Sequence, residues 1–236
     1  MLNYFVMGEL DSRDAHVYCQ PLFIVNVPED QNELVAINGK NGDLILSSRR
    51  FSNIEITLQC VMIHGFNVDF DTFRGELMSM CRRYYRLTDP SFPNAYRLAS
   101  VVRVGSISKS NSMDKARFDI ILNCKPQLYL TSGDKKTTFT QSGTVENPTK
   151  FDALPVLRIY GTGEATIGDT VITIKSSSGY VDFDCERMEC SYNGRNWSEY
   201  VEMSTNDYPI LKNGANTIGL GTGITKIEVT PRWWMP

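Results

Sequence analysis

The 236 residues carry 24 Lys and Arg against 27 Asp and Glu, a formal net charge of −3 that excludes an electrostatic footprint for nucleic acid. Hydrophobic residues at 42% and charged residues at 22% are ordinary globular usage, and the length suits one large domain or two small ones. No apolar run nears the roughly 20 residues of a membrane-spanning helix. The first residues, Met1 to Glu9, lack the basic region of a secretory signal, which implies synthesis in a cytoplasm. Six scattered cysteines (Cys19, Cys60, Cys81, Cys124, Cys185, Cys190) in a chain large enough to need no staples are expected to be reduced.

The chain opens with strand signals. Two Asn-Gly pairs in Ile37-Asn38-Gly39-Lys40-Asn41-Gly42-Asp43-Leu44 predict a hairpin, since both residue types tolerate positive φ. Ile54, Ile56, Leu58, Cys60 and Met62 then alternate with Glu55, Thr57, Gln59 and Val61, the period of a strand with one face in a core. After Asp69 the period changes. Phe70, Phe73, Leu77, Met80, Cys81 and Tyr84 fall on one stripe of a helix over about 70–86, with Phe73, Leu77, Met80 and Tyr84 expected to pack on the sheet containing Ile54, Ile56 and Leu58. Asp69 or Asp71 is the candidate cap, Arg82, Arg83 and Arg86 complement the last turn, and Thr88-Asp89-Pro90 is the stop. Arg74, Arg82 and Arg83 are left as interface candidates.

Strands resume with Val101–Val104 and Ala116–Leu122, closing a first module near residue 130. Residues 131–149, rich in Thr, Ser, Gly and Lys, read as a junction in which Thr137-Thr138-Phe139-Thr140 is an alternative edge strand. Residues 131–236 then show short strands at Val156–Tyr160, Thr170–Ile174, Tyr180–Asp184 and Lys226–Val229. Asn193-Gly194 and Asn213-Gly214 add hairpin signals, and the rhythm is that of a small β-sandwich. The fold class is mainly β, with an α+β first module built around one main helix.

Chemistry is sparse. His16 and His64 lie in no nucleophile elbow or helical zinc motif, and Cys185 and Cys190 have no second pair at zinc spacing. Asp182, Asp184 and Glu186 lack the central glycine of a calcium loop and read as the solvent face of a strand. Gly219 to Gly223 precedes a strand rather than a helix, so it reads as a turn and not a phosphate cradle. No enzymatic role, metal or cofactor is expected. Tyr192, Trp197, Tyr200, Trp233 and Trp234 remain as aromatic surface for a protein contact or a sugar face. Because neighbours on a strand alternate faces, one of Trp233 and Trp234 is expected in a core and the other at an interface, docked on the first module or on a neighbouring subunit.

The order of these motifs resembles the distal tail protein (Dit) family of long non-contractile-tailed bacteriophages and prophages. The resemblance is carried by the Ile37–Leu44 hairpin, by the helix ending in Leu87-Thr88-Asp89-Pro90 before Tyr96, and by Glu146-Asn147-Pro148-Thr149 leading to Leu154-Pro155-Val156-Leu157 and Tyr160-Gly161-Thr162-Gly163. It extends to Gly214-Ala215-Asn216 and the closing Pro231-Arg232-Trp233-Trp234. Lys40 and Asn41 stand where the family commonly has Arg and Asp. The resemblance implies a barrel-like or β-sandwich first module that forms a hexameric ring, a galectin-like second module facing outward, and a place at the virion tail tip. Its partners there are further copies of the chain, the tail tube protein, a tail-associated lysin or fibre protein and a receptor-binding protein, with no nucleic acid or membrane insertion. The alternative reading is a carbohydrate-binding protein that recognises host cell wall through the second sandwich.

Overall fold

A computed structural model describes residues 3–20, 26–48, 50–63, 66–110 and 115–236. The chain divides into two compact units, Met1–Leu128 with Pro236, and Tyr129–Met235. The alternation that predicts the strand Ile54–Met62 is seen directly: Ile54, Ile56, Leu58, Cys60 and Met62 are buried, while Glu55, Thr57 and Gln59 are exposed. It pairs antiparallel with Lys115–Leu130, Leu58 facing Ile120. The curled sheet of the first unit runs Leu10–Asp11, Val6–Met7, Tyr85–Thr88, Ala95–Val104, Lys115–Leu130, Ile54–Met62, Val17–Cys19. Its inner face and the helix share one core, in which the rings of Phe70 and Phe73 meet Phe118 edge-on at 5.2 and 6.3 Å.

The helix spans Phe66–Ser79, earlier and shorter than its apolar stripe predicts. Asp69 and Asp71 therefore lie inside it rather than at a cap, and Arg82, Arg83 and Arg86 lie beyond its last turn. At its end the Ser79 hydroxyl donates to the Glu76 carbonyl at 2.6 Å, and the Met80 amide donates to Leu77 at 3.0 Å. The chain then leaves helical geometry because Tyr85–Thr88 is taken into the sheet between Val6–Met7 and Ala95–Val104. Phe73, Leu77 and Met80 are buried, but Tyr84 is 38% exposed. It does not belong to the core stripe, since it falls past the helix, where its hydroxyl accepts from Asn53 Nδ2 at 2.7 Å and Asn123 Nδ2 at 3.2 Å.

The second unit is a sandwich. One sheet runs Thr137–Phe139, Ile224–Thr230, Val156–Gly161, Tyr180–Asp184, Glu189–Tyr192, Arg195–Asn196, so Thr137–Phe139 is an edge strand. The other runs Gly143–Asn147, Gly214–Leu220, Gly163–Ile167, Thr170–Ile174, Val201–Met203. Leu157, Ile159, Val181, Phe183, Ile227 and Val229 from the first meet Ala165, Ile167, Ile172, Ile174 and Ile218 from the second in a single core. Asn193 and Gly194, at φ 47° and 73°, make the tight turn between Tyr192 and Arg195. Asn213-Gly214 makes no hairpin; it starts a strand, with Asn213 Nδ2 donating to the Thr149 carbonyl at 2.6 Å.

Buried amides explain two of the sequence motifs. Asn147 donates to the Phe151 and Leu211 carbonyls at 3.0 and 2.9 Å, and its Oδ1 accepts from the amide and hydroxyl of Thr149 at 2.9 and 2.8 Å. Asn216 donates to the carbonyls of Lys212 and Gly214 and accepts from the Lys212 amide, all at 2.8 Å. Each buried side chain has both its donors and its acceptor engaged by loop backbone, which fixes the loop beside it.

Candidate interaction surfaces

In the first unit, residues 29–48 and 50–52 form an arm outside the core. Its stem holds amide bonds from Gln31 to Arg50 O and from Ser52 to Glu29 O, both 2.9 Å, and its distal part pairs Glu33–Val35 with Leu44–Leu46. The Asn-Gly pairs supply the connecting loop, with Gly39 and Gly42 at φ 81° and 83°. Leu34 and Ile45 face each other across the two strands, each 63% exposed, while Leu44 and Leu46 are exposed on the opposite face. None of them joins the core cluster. A two-stranded ribbon is marginal in water, and exposed apolar residues on both of its faces are the mark of an interaction surface. The sequence carried a signal for this: three successive apolar residues, Leu44-Ile45-Leu46, break the alternation of a strand with one wet face.

The arginine candidates lie on exposed positions. Arg74 pairs with Asp71 at 3.0 Å one turn away. Arg82 is exposed, and Arg83 Nε donates to the Tyr85 hydroxyl at 2.8 Å with its guanidinium 5.0 Å from that ring. The two C-terminal tryptophans part company. Trp233 is 5% exposed and belongs to the second core, which removes it from the interface candidates; Trp234 is half-buried, 5.0 Å from the Phe151 ring, and donates Nε1–H to the Asp152 carbonyl at 2.9 Å. Backbone bonds tie this segment down, the Leu130 amide to Trp233 O at 2.8 Å and the Arg232 amide to Gly133 O at 2.9 Å. A Cβ on Gly133 would sit 2.3 Å from the Trp233 nitrogen, so only glycine permits the approach.

Arg232 is the residue that sequence reasoning missed. Its φ of 59° is left-handed, and its guanidinium meets Asp184 through Nη1 at 2.9 Å and Nη2 at 2.8 Å, with Glu186 at 3.3 Å. Burial pushes the Asp184 carboxyl up, but Arg232 together with the backbone amides of Arg187 and Glu186 more than offsets this and holds it below its ordinary value. Asp182 is engaged by Arg158 through Nε at 2.6 Å and Nη2 at 2.9 Å. Asp182 and Asp184 on the strand, and Glu186 in the turn that follows it rather than on the strand's face, are thus structural partners of arginines. His16 sits in a turn at φ 53°, with its amide donating to Arg13 O at 2.9 Å; His64 lies outside the described residues. All six cysteines are free thiols, and burial pushes Cys19 and Cys190 up to about 11 and Cys124 and Cys185 up to about 12.

No family model and no curated protein matches the sequence. Solved structures do match. The Dit protein of phage SPP1, described as a paradigm of the hub adsorption apparatus in phages infecting Gram-positive hosts, aligns with a TM-score of 0.67 at 14% identity over 98% of this chain and 99% of its own. This chain has the Dit fold. Structures of the phage P2 baseplate in its activated conformation align as well. The calcium form gives a TM-score of 0.55 at 12% identity over 99% of both chains, and the strontium form 0.51 at 12% over 98% of this chain and 99% of the other. Both units of this Dit-like chain, and not one alone, are therefore matched by phage tail proteins.

Proposed function

We propose that this chain is the structural hub of a phage tail tip: a hexameric ring, built by the first unit, that joins the tail tube to the tail-associated lysin or fibre and receptor-binding proteins. The observation that supports it best is the end-to-end match of both units with the SPP1 Dit hub protein. On this reading the second, galectin-like unit faces outward, and the chain works in the virion tail tip without catalysis. The apolar arm supplies the contact between neighbours. A projecting ribbon seated on a different patch of the next copy is a heterologous interface, and such interfaces close into rings when their rotation fits the symmetry. The exposed Arg74, Arg82 and Arg83, with Trp234, are surfaces for the flanking tail proteins.

Native mass spectrometry and negative-stain imaging of the full chain across a concentration series test this. Rings of six are expected, together with a ring from residues 1–130 alone. A chain that stays monomeric at the highest concentrations, or oligomers formed only by the second unit, would overturn the assignment.

A further inference from the structure

The outer face of the six-stranded sheet in the second unit has a chemistry that a purely structural ring does not use. Strand register lines up Glu228, Arg158, Asp182 and Ser191 in one row across four neighbouring strands. The row is fixed by its own bonds. Arg158 grips Asp182 through two nitrogens, and Glu228 accepts from Lys226 Nζ and Lys136 Nζ, both at 2.9 Å, and from the Tyr160 hydroxyl at 3.3 Å. Glu228, Arg158, Asp182 and Ser191, with Lys136, line a concavity of about 340 Å³. Beside it runs a ladder of rings, Tyr160, Tyr180, Tyr192, Trp197 and Tyr200, with successive centroids 5.9, 5.2, 5.3 and 4.7 Å apart. Lys226 lies 3.8 Å from the Tyr160 ring centre and Arg158 lies 4.2 Å from that of Tyr180, so the polar row is joined to the Tyr160–Tyr180 end of the ladder, whose Trp197 packs against the second core.

Charge and polarity select the ligand. The acids balance the bases: Glu228 with Lys136 and Lys226, Asp182 with Arg158, and Asp184, Glu186 and Glu189 with Arg187 and Arg232. A polyanion or polycation gains nothing from five charges of each sign. A protein partner gains little either, because the centre of a protein interface is depleted in charge and anchored by large apolar groups, and of the apolar residues at this concavity, Val156, Leu157 and Phe183, the last two are fully buried in the core. Sugar hydroxyls are different, since each both donates and accepts. A carboxylate engaged by a guanidinium keeps lone pairs for donors, Ser191 does both, and bonds to ionised groups are the stronger kind. Four strands at about 4.8 Å spacing span roughly 14 Å, the length of a short oligosaccharide.

We propose that this face binds a neutral oligosaccharide, its hydroxyls on the Glu228–Arg158–Asp182–Ser191 row and its apolar C–H faces on the tyrosine ladder. The inference goes beyond the hub role and does not depend on it. The test uses the full chain on a panel of neutral gluco-, galacto-, rhamno- and N-acetylhexosamine oligosaccharides, with a glycerol-phosphate polymer as the anionic comparison. The best neutral probe is then titrated by tryptophan fluorescence. Asp182→Asn, which loses one charge-assisted bond, and Tyr180→Ala, which loses a stacking face, are each expected to weaken binding about tenfold or more. Ser191→Trp, which fills the concavity without touching the core, should abolish binding while oligomer mass and unfolding midpoint stay at their parental values. Binding to no neutral sugar, binding to the anionic polymer alone, or a Ser191→Trp protein that binds as the parent does would each overturn the proposal. Mass measured on the same samples separates the two readings: rings that bind no sugar defeat this inference only, and sugar binding by a strict monomer defeats the hub reading only.

Discussion

Replacing both Leu34 and Ile45 with Ser probes the arm at the pair that faces outward together. Fully burying a Leu or Ile side chain yields about 1.5–3 kcal/mol. With 63% of each residue exposed, covering the remainder yields roughly 1–2 kcal/mol apiece, or about 2–4 kcal/mol for the pair. Losing that at every subunit contact lowers the pairwise association constant about 30- to 1000-fold. Neither residue belongs to the core, so the monomer's unfolding midpoint should move by less than about 0.5 kcal/mol equivalent. Sedimentation velocity, run at concentrations where the parent is assembled, separates the two effects. A double variant that assembles at the parental concentration would refute the arm as the contact, and one that unfolds early would show that the arm stabilises its own unit.

Leu77→Ala should cost about 3.6 kcal/mol in urea unfolding: roughly 2.4 for about three lost methyl or methylene groups and about 1.2 for a residual cavity of about 50 Å³. A loss under about 0.5 kcal/mol would contradict its full burial. In the native protein a thiol reagent at pH 8 should titrate Cys81, the exposed cysteine, and reach all six only after denaturation; rapid labelling of Cys124 or Cys185 would contradict thiols held near 12. Arg232→Ala should destabilise by about 1–2 kcal/mol, a partly exposed charge-assisted pair, and Arg232→Gly by less, because glycine accepts the φ of 59°. Bonds from Lys226 and Lys136 hold the Glu228 carboxyl down at about 2 against an ordinary 4.5. Its contribution is therefore complete above about 4.5 and lost as pH falls through about 2. Glu228→Gln should flatten that part of the acid-unfolding profile by no more than about 1 kcal/mol, and an unchanged profile would show that the lysines do not stabilise the carboxylate.

Much of the fold was legible in the residues because its signals are local. The alternation of Ile54 to Met62 and the Asn193-Gly194 turn depend on side-chain period and on the φ that Asn and Gly tolerate, and both are present as expected. Thr170–Ile174 and Tyr180–Asp184 likewise coincide with their predicted spans. Of the candidate interaction surfaces, the sequence showed which residues are chemically able to act, and in Leu44-Ile45-Leu46 it held the mark of a ribbon apolar on both faces. What it could not decide were the competitions settled by partners distant in the chain. The apolar stripe runs on past Ser79, but Tyr85–Thr88 gains two sheet neighbours by leaving the helix, so the helix ends and Tyr84 turns outward to Asn53 and Asn123. Trp233 and Trp234 are equivalent in one dimension; the close approach of Gly133 seats the first in a core and leaves surface to the second. The row of Glu228, Arg158, Asp182 and Ser191 spans 70 positions of sequence. Strand register alone brings it together, because hydrogen bonding between strands is indifferent to the length of chain that separates them.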